Sequence, residues 1–425
     1  EYFMYQKSIL RIMQIMVMFM IFSHTAEAQE NNTAADSVRS FAVKVFLDCR
    51  TCDMNYTREE IPYINYVRDV TESQIYINVT TQNAGSGGNQ YTYTFAGQKE
   101  FAGLTDTLVY TSSPDQTSTE IRKKRTDLLK MGLMRYVART PLFNEIEIGH
   151  NAELKSEEVI DNWRNWVFEI QVNPRYNSEE SYKRLNLSNS FTVSKITSDI
   201  KLEIDFDQSY NRQRFIQGSY DTTYLRNSES VDLLFVKSLG EHWSAGLLWD
   251  IETSSAANYD LNFDFMPAIE YDLFPYSEAT HKQLRVLYSI GYQHSNYSDT
   301  TIFNLMSENL FRHELRVAYQ VQEKWGSVNI SLNGSNYFHD WSKNRIELDG
   351  FIRIRLFKGL SLSVDAGVAY INNSLNLAKG DLTEAERLLR LKQQATKYQV
   401  GGGVGINYTF GSIYNNVVNP RFGRY

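Results

Sequence analysis

From Asn162 to Phe410 apolar residues recur at every second position, and this period constrains the chain more than any other feature. WVFEIQV sets Trp166, Phe168, Ile170 and Val172 on one face. DIKLEIDFDQSY sets Ile200, Leu202, Ile204 and Phe206 against Lys201, Glu203, Asp205 and Asp207. The stretches HWSAGLLWDIE, NYDLNFDFMPAIEY, QLRVLYSIGY, HELRVAYQV, SVNISLNGS, RIELDGFIRIRLF, LSLSVDAGVAY and KYQVGGGVGINYTF keep the same rule, with further strands near Leu185–Val193 and Val231–Val236. Side chains alternate between the two faces of a strand, so a sustained period of two means β-structure. About twelve segments of roughly 10 residues form the dyad signature of a transmembrane antiparallel β-barrel, apolar towards lipid and polar towards the lumen.

A secreted β-sandwich also alternates, and three features favour the barrel over it. The apolar face runs the length of each strand. Aromatics mark one rim at Trp243, Tyr271, Trp325, Phe357 and Phe410, as an interfacial girdle requires. Short links (Lys195–Asp199, Ser238–His242, Gln322–Gly326, Phe357–Gly359) interleave with longer ones (Gln213–Thr223, Ser295–Leu310, Asn372–Thr396), although Phe274–Lys282 is longer than its class. Charged residues at 22% make the average look soluble, which alternation permits in a spanning chain. A net charge of −7 excludes a basic nucleic-acid footprint, so no nucleic-acid partner is expected.

The expected organisation has four parts. Residues 1–28 read as a signal peptide: Lys7 and Arg11, an apolar run from Ile12 to Phe22, and Ala26-Glu27-Ala28. Residues 29–150 read as a periplasmic α/β domain in the order β-α-β-β-β-α. Its strands are FAVKVFLD, QIYINVTT, YTYTFAG and TDTLVYTS. Its helices are TREEIPYINYVRD, opened by a Thr57/Glu60 capping box, and Asp115–Ala138, with Ile121, Leu128, Leu129, Leu133 and Val137 along one side. Residues 151–410 form the outer-membrane barrel and 411–425 a periplasmic tail.

VFLDCRTCDMNY, YTFAGQKEFAGLTDTLVYTS and the ending YTFGSIYNNVVNP resemble a group of uncharacterised outer-membrane barrel proteins of Bacteroidota-type Gram-negative bacteria. The resemblance implies the cell outer membrane as location and brings no reaction, cofactor or site residue with it.

Cys49 and Cys52, the only cysteines, flank Arg50 and Thr51 where a strand hands over to a helix. In an oxidising compartment a local disulfide is favoured, with a redox pair or a metal site as weaker readings. His294-Ser295-Asn296 has the residue types of an outer-membrane lipase. Adjacent strand side chains point to opposite faces, so His294 and Ser295 do not form a dyad and no catalytic residue is expected. AGSGGN lacks the G-K-S ending of a phosphate loop and reads as a hairpin turn. Leu382 to Gln393 reads as a helix within the longest external loop. No cofactor or metal is implied.

The lumen-facing residues carry the functional expectation. Glu203, Asp205, Asp207, Asp232, Asp250 and Asp264 form an acidic arc. Arg285, Arg312, Arg316, Arg345, Arg353 and Arg355 form a basic arc roughly opposite. A packed interior crossed by salt bridges fits a structural or accessory subunit of an outer-membrane assembly, secretion or envelope system. A wetted interior fits a narrow channel for small polar solutes or ions. Lipid is the expected partner, with other envelope proteins reached through the periplasmic domain or the long loops.

Overall fold

A computed structural model describes residues 41–84, 87–146, 162–357, 359–381 and 383–412. The expected signal peptide, the 150/151 boundary and all but the first two residues of the tail lie outside them. The chain is mainly β. A small α/β unit precedes a twelve-stranded antiparallel sheet.

The unit contains β1 (Lys44–Asp48), α1 (Met54–Glu60), β2 (Asn65–Tyr66), β3 (Ile75–Asn83), β4 (Asn89–Gly97), β5 (Thr105–Thr111) and α2 (Ser118–Val137). Its sheet order is β2-β1-β3-β4-β5, with β1 parallel to both neighbours. β2 is an addition to the sequence reading, which placed residues 57–69 in one helix. The first helix also starts earlier than read, because Asp53 and not Thr57 caps it by accepting from the Tyr56 N–H. Thr57 lies inside α1 and donates back to the Asp53 carbonyl at 2.8 Å. α2 opens on a capping box formed by Thr117 and Glu120. It buries Leu129, Leu133, Tyr136 and Val137 against Ile75, Ile77, Tyr93 and Phe95. A side chain at Gly132 would begin 2.1 Å from the Phe95 ring, so a glycine there lets helix and sheet approach.

The large sheet is a sequential meander from β6 to β17, whose edges are β6 and β17. Its strands are β6 (Trp166–Ser178), β7 (Tyr182–Ile196), β8 (Ile200–Gln217), β9 (Tyr220–Ser238), β10 (Trp243–Ser254), β11 (Tyr259–Asp272), β12 (Lys282–Tyr297), β13 (Ser307–Glu323), β14 (Gly326–Tyr337), β15 (Asp340–Phe357), β16 (Leu360–Ile371) and β17 (Tyr398–Tyr408). Several run longer than the sequence reading allowed, with 18 residues in β8 and 19 in β9. The expected long link Gln213–Thr223 is therefore strand on both sides of a tight turn at Gly218. Apolar alternation stops near Phe215, but backbone pairing continues to Gln217↔Tyr220.

The parity of the strands is visible in their burial. On β11, Phe265 is 43% and Ile269 45% exposed, while Asp264 is 7% and Met266 4% exposed. The outer face presents Phe206, Val231, Phe235, Ile290, Leu315 and Leu348, all exposed apolar side chains. Among the described residues no helix is long and apolar enough to cross a membrane, a statement silent about strands.

Candidate functional site

The polar face of the sheet is a continuous inner surface with three regions. In the first, Asp205, Asp232, Asp250 and Asp264 stand directly opposite one another in register across β8, β9, β10 and β11. Thr192 donates to Asp205 at 2.6 Å and Ser230 to Asp232 at 3.1 Å. Like charges placed directly opposite destabilise a sheet, and the Thr192 and Ser230 hydroxyls offset part of that cost. A cavity of about 530 Å³ opens beside it, lined by Asp207, Asp232, Asp250 and Glu252 among Ser, Asn and Gln side chains. Glu203, one strand end away, pairs with Lys201 at 3.0 Å.

The second region, on β11 to β14, is packed. The Arg312 Nε–H donates to Asp264 at 2.9 Å, and Glu314 receives both Arg312 at 3.8 Å and Arg316 at 2.8 Å. Asn262, Gln293, Ser295 and Tyr337 complete it. The Gln293 amide and the Ser295 hydroxyl both donate to Asn262, and the Tyr337 hydroxyl donates to Gln293. One residue of each set, Asp264 and Arg312, thus meets the other side by side. Arg345 pairs with Glu347 on its own strand at 3.1 Å. Arg285 is exposed and stands opposite Asp272 in the β11–β12 register.

The third region, on β14 to β17, holds a cavity of about 550 Å³ lined by Asn329, Ser331, Glu347, Asp349, Phe351 and Asp365 with Gly401 of β17. Asp349 and Asp365 were missed in the sequence. They share the parity of Arg345 and Arg353, so the alternation that found the arginines contained them.

One end of this surface carries the α/β unit. The Arg355 guanidinium pairs with Asp48 at 2.8 Å and lies over the Phe46 ring. Arg50, inside the Cys49–Cys52 loop, donates to the Ser327 hydroxyl at 2.9 Å and shares the Phe351 ring with Arg353. Partial desolvation, then the charge of Arg353, hold the Arg50 guanidinium below its usual value. Gln322 donates to Asn78 at 2.8 Å, and Thr94 meets His281 at 3.3 Å. Gly359, in a turn with φ +73°, donates its N–H to Asp69. The sheet's contacts come from the connections after β11, β13 and β15 and the strand ends beside them, the same end as Trp243, Tyr271, Trp325 and Phe357.

Cys49 and Cys52 are joined in a disulfide. Arg125 of α2, a buried cation, holds that loop from behind. Its donors reach the Thr51 carbonyl at 2.8 Å, the Tyr93 hydroxyl at 3.0 Å and the two sulfurs at 3.3 and 3.2 Å. The disulfide loop is therefore pinned to the unit by Arg125 and to the large sheet by Arg50.

The opposite end is crossed by residues 372–381 and 383–397. Ala378 bridges Thr301, the Gln393 N–H reaches the Ala256 carbonyl, and Lys392 pairs with Asp299 at 2.8 Å. Leu375 packs on Leu310 and Tyr337. Within this crossing, α3 (Glu384–Leu388) is capped by Thr383 and Glu386, a shorter helix than the sequence reading. The His294 ring meets Asn309 at 2.7 Å on the outer face, while the Ser295 hydroxyl lies fully buried on the inner one.

Compared with known families and with curated proteins, the chain matches no family model and no curated sequence.

Proposed function

We propose that this chain is a non-enzymatic outer-membrane β-barrel of a Gram-negative envelope, a structural or accessory subunit with its α/β unit in the periplasm. The observation that carries the membrane reading is the apolar outer face, exposed on strand after strand while its alternate neighbours are polar and turned inward. Exposed apolar surface on this scale needs a partner, and lipid is the one that fits every strand at once. β6 and β17 each keep that parity, and pairing them closes the sheet. An open edge in hydrocarbon leaves backbone groups unsatisfied at several kcal/mol each. The resemblance of the CRTC segment and the C-terminal ending to Bacteroidota-type barrels agrees with this placement.

The accessory role rests on what covers the two ends: the α/β unit at one, residues 372–381 and 383–397 at the other. A simple pore requires neither. The second reading, a narrow channel, is favoured by the two inner cavities, whose charged lining side chains are all carboxylates. Such a path would prefer cations. Planar-bilayer recording on the purified full chain separates the two. The accessory reading expects no unitary current, and steady cation-selective steps would replace it with the channel.

A further inference from the structure

A cavity of about 660 Å³ lies between the α/β unit and the ends of β15, β16 and β17. One wall is apolar, with Phe46 and Met54 from the unit and Leu356 and Phe357 from the end of β15. Phe357 is 67% exposed, so this wall continues onto the outer face at the aromatic rim. The other wall is cationic and carries Arg58 and Arg68. Among the described residues neither has a carboxylate partner; the Arg58 guanidinium lies over the Tyr66 ring at 6.0 Å, and its Nε is buried without a hydrogen-bond acceptor. Arg355 and Lys324 also line the space, but Arg355 is neutralised by Asp48 and Lys324 lies over the Tyr76 ring. Asp69 is the sole lining carboxylate among the described residues, and it already accepts from Thr71 and Gly359. Burial lowers the Arg58 pKa, with the neighbouring Arg68 adding to the shift and Tyr66 opposing it.

Two guanidinium groups without a carboxylate partner among the described residues, beside an apolar wall at a membrane rim, have the chemistry of a site for a phosphate that carries an apolar tail. We propose that this cavity binds the phosphate of one anionic phospholipid of the periplasmic leaflet, with its acyl chains along Leu356 and Phe357. The proposal rests on the membrane reading above and identifies the lipid that the barrel holds.

The test uses the full chain reconstituted in phosphatidylcholine vesicles, with phosphatidylglycerol, phosphatidylethanolamine or inorganic phosphate added separately. Native mass spectrometry then counts what the extracted protein retains. The expected result is one phosphatidylglycerol retained in preference to either other lipid. Retention should weaken about tenfold in the Arg58→Gln/Arg68→Gln variant, because each lost charged hydrogen bond is worth more than a neutral one. Arg58→Lys/Arg68→Lys keeps the charge and should retain most of the binding. That variant also separates lost charge from lost folding. Equal retention of all three lipids, or indifference to the Gln changes, would overturn the site. Saturation by inorganic phosphate at millimolar concentration, without lipid preference, would make it a free-phosphate site instead. Failure of the unaltered chain to float with phosphatidylcholine vesicles would sink the membrane reading itself, an outcome distinct from insertion without lipid preference.

Discussion

The Arg355 Nη2 lies 2.8 Å from an Asp48 oxygen that also accepts from the Tyr76 hydroxyl at 3.0 Å. This pair joins the end of β1 to the end of β15, and both side chains are largely withdrawn from water, at 27% and 18% exposed. A short network in such surroundings is stronger than the same pair on an open surface. It fixes the α/β unit on the large sheet, and with Arg50 on Ser327 it sets the unit's register there.

Breaking that joint should uncouple the two parts. Arg355→Gln leaves Asp48 with Tyr76 alone and should cost about 1.5–3 kcal/mol, the worth of a hydrogen bond to a charged group. The measurement is thermal unfolding followed at separate probes on unit and sheet. Two separated transitions are expected where the parent gives one. A double-mutant cycle with Asp48→Ala should return a coupling of about 1–2 kcal/mol; a value near zero would mean that the pair is incidental.

Inside the sheet, Arg312→Gln removes the cation from Asp264, whose side chain is only 10% exposed. A buried carboxylate left alone costs about 3–5 kcal/mol. The variant should melt well below the parent. Asp264→Asn in the same chain should recover most of the loss, because it removes the orphaned charge. An unchanged melting temperature in Arg312→Gln would show that this part of the interior is wet.

Much of the large sheet was legible because a period of two is local: Asp264 and Phe265 differ in face whatever surrounds them. The inward acids and arginines followed from that parity. Their partners did not, since Arg312 meets Asp264 through the stagger of three strands and Arg355 meets an aspartate outside the sheet altogether. Arg50 and Ser327 lie 277 residues apart, and no periodicity connects them. The Thr57 cap was misplaced for a related reason. Asp53 and Thr57 are both competent N-caps by residue type. Asp53 gains a tertiary partner in Arg122 at 2.9 Å, whereas Thr57 becomes buried inside the turn.

Replacing both Cys49 and Cys52 by Ser should destabilise the α/β unit by about 2 kcal/mol, as loop closure over so few residues implies. The loop carries Arg50, so the change should also weaken the contact with Ser327. A cross-link engineered between positions 50 and 327 should form less readily in the Cys49→Ser/Cys52→Ser background. Turnover of a dithiol substrate by the parent chain would contradict a purely structural bond.

Asp53 gives a pH signature. Its carboxylate accepts the Tyr56 backbone N–H and pairs with Arg122, and these hold its pKa below the usual range. A depressed folded-state pKa adds stability above the unfolded value, and that stability is lost as the pH falls through the folded one. Asp53→Ala should therefore cost about 1 kcal/mol at neutral pH, as loss of an N-cap does. The gap between parent and variant should narrow only in strongly acidic solution. A gap that closes already between pH 7 and 5 would point to another group.

Strand parity supplies the strictest test of the proposed membrane placement. Ile204, Leu247, Ile330 and Val364 belong to the outward apolar series of β8, β10, β14 and β16, while Ser331 and Ser363 face inward beside Asp349 and Arg353 in the strand register. An Arg on the lipid face near the midplane costs about 2–4 kcal/mol, whereas an inward charge of the right sign meets its opposite, Asp349 across from position 331 and Arg353 across from position 363. Outward substitutions should reduce the fraction of chain that folds into vesicles, each by more than tenfold. Ser331→Arg, opposite Asp349, and Ser363→Glu, opposite Arg353, should insert like the parent. Folding into phosphatidylcholine vesicles, read by heat-modifiable migration, measures both sets. If the inward and outward variants lost folding equally, the apolar face would be packed against protein, and a sandwich would fit better than a barrel in lipid.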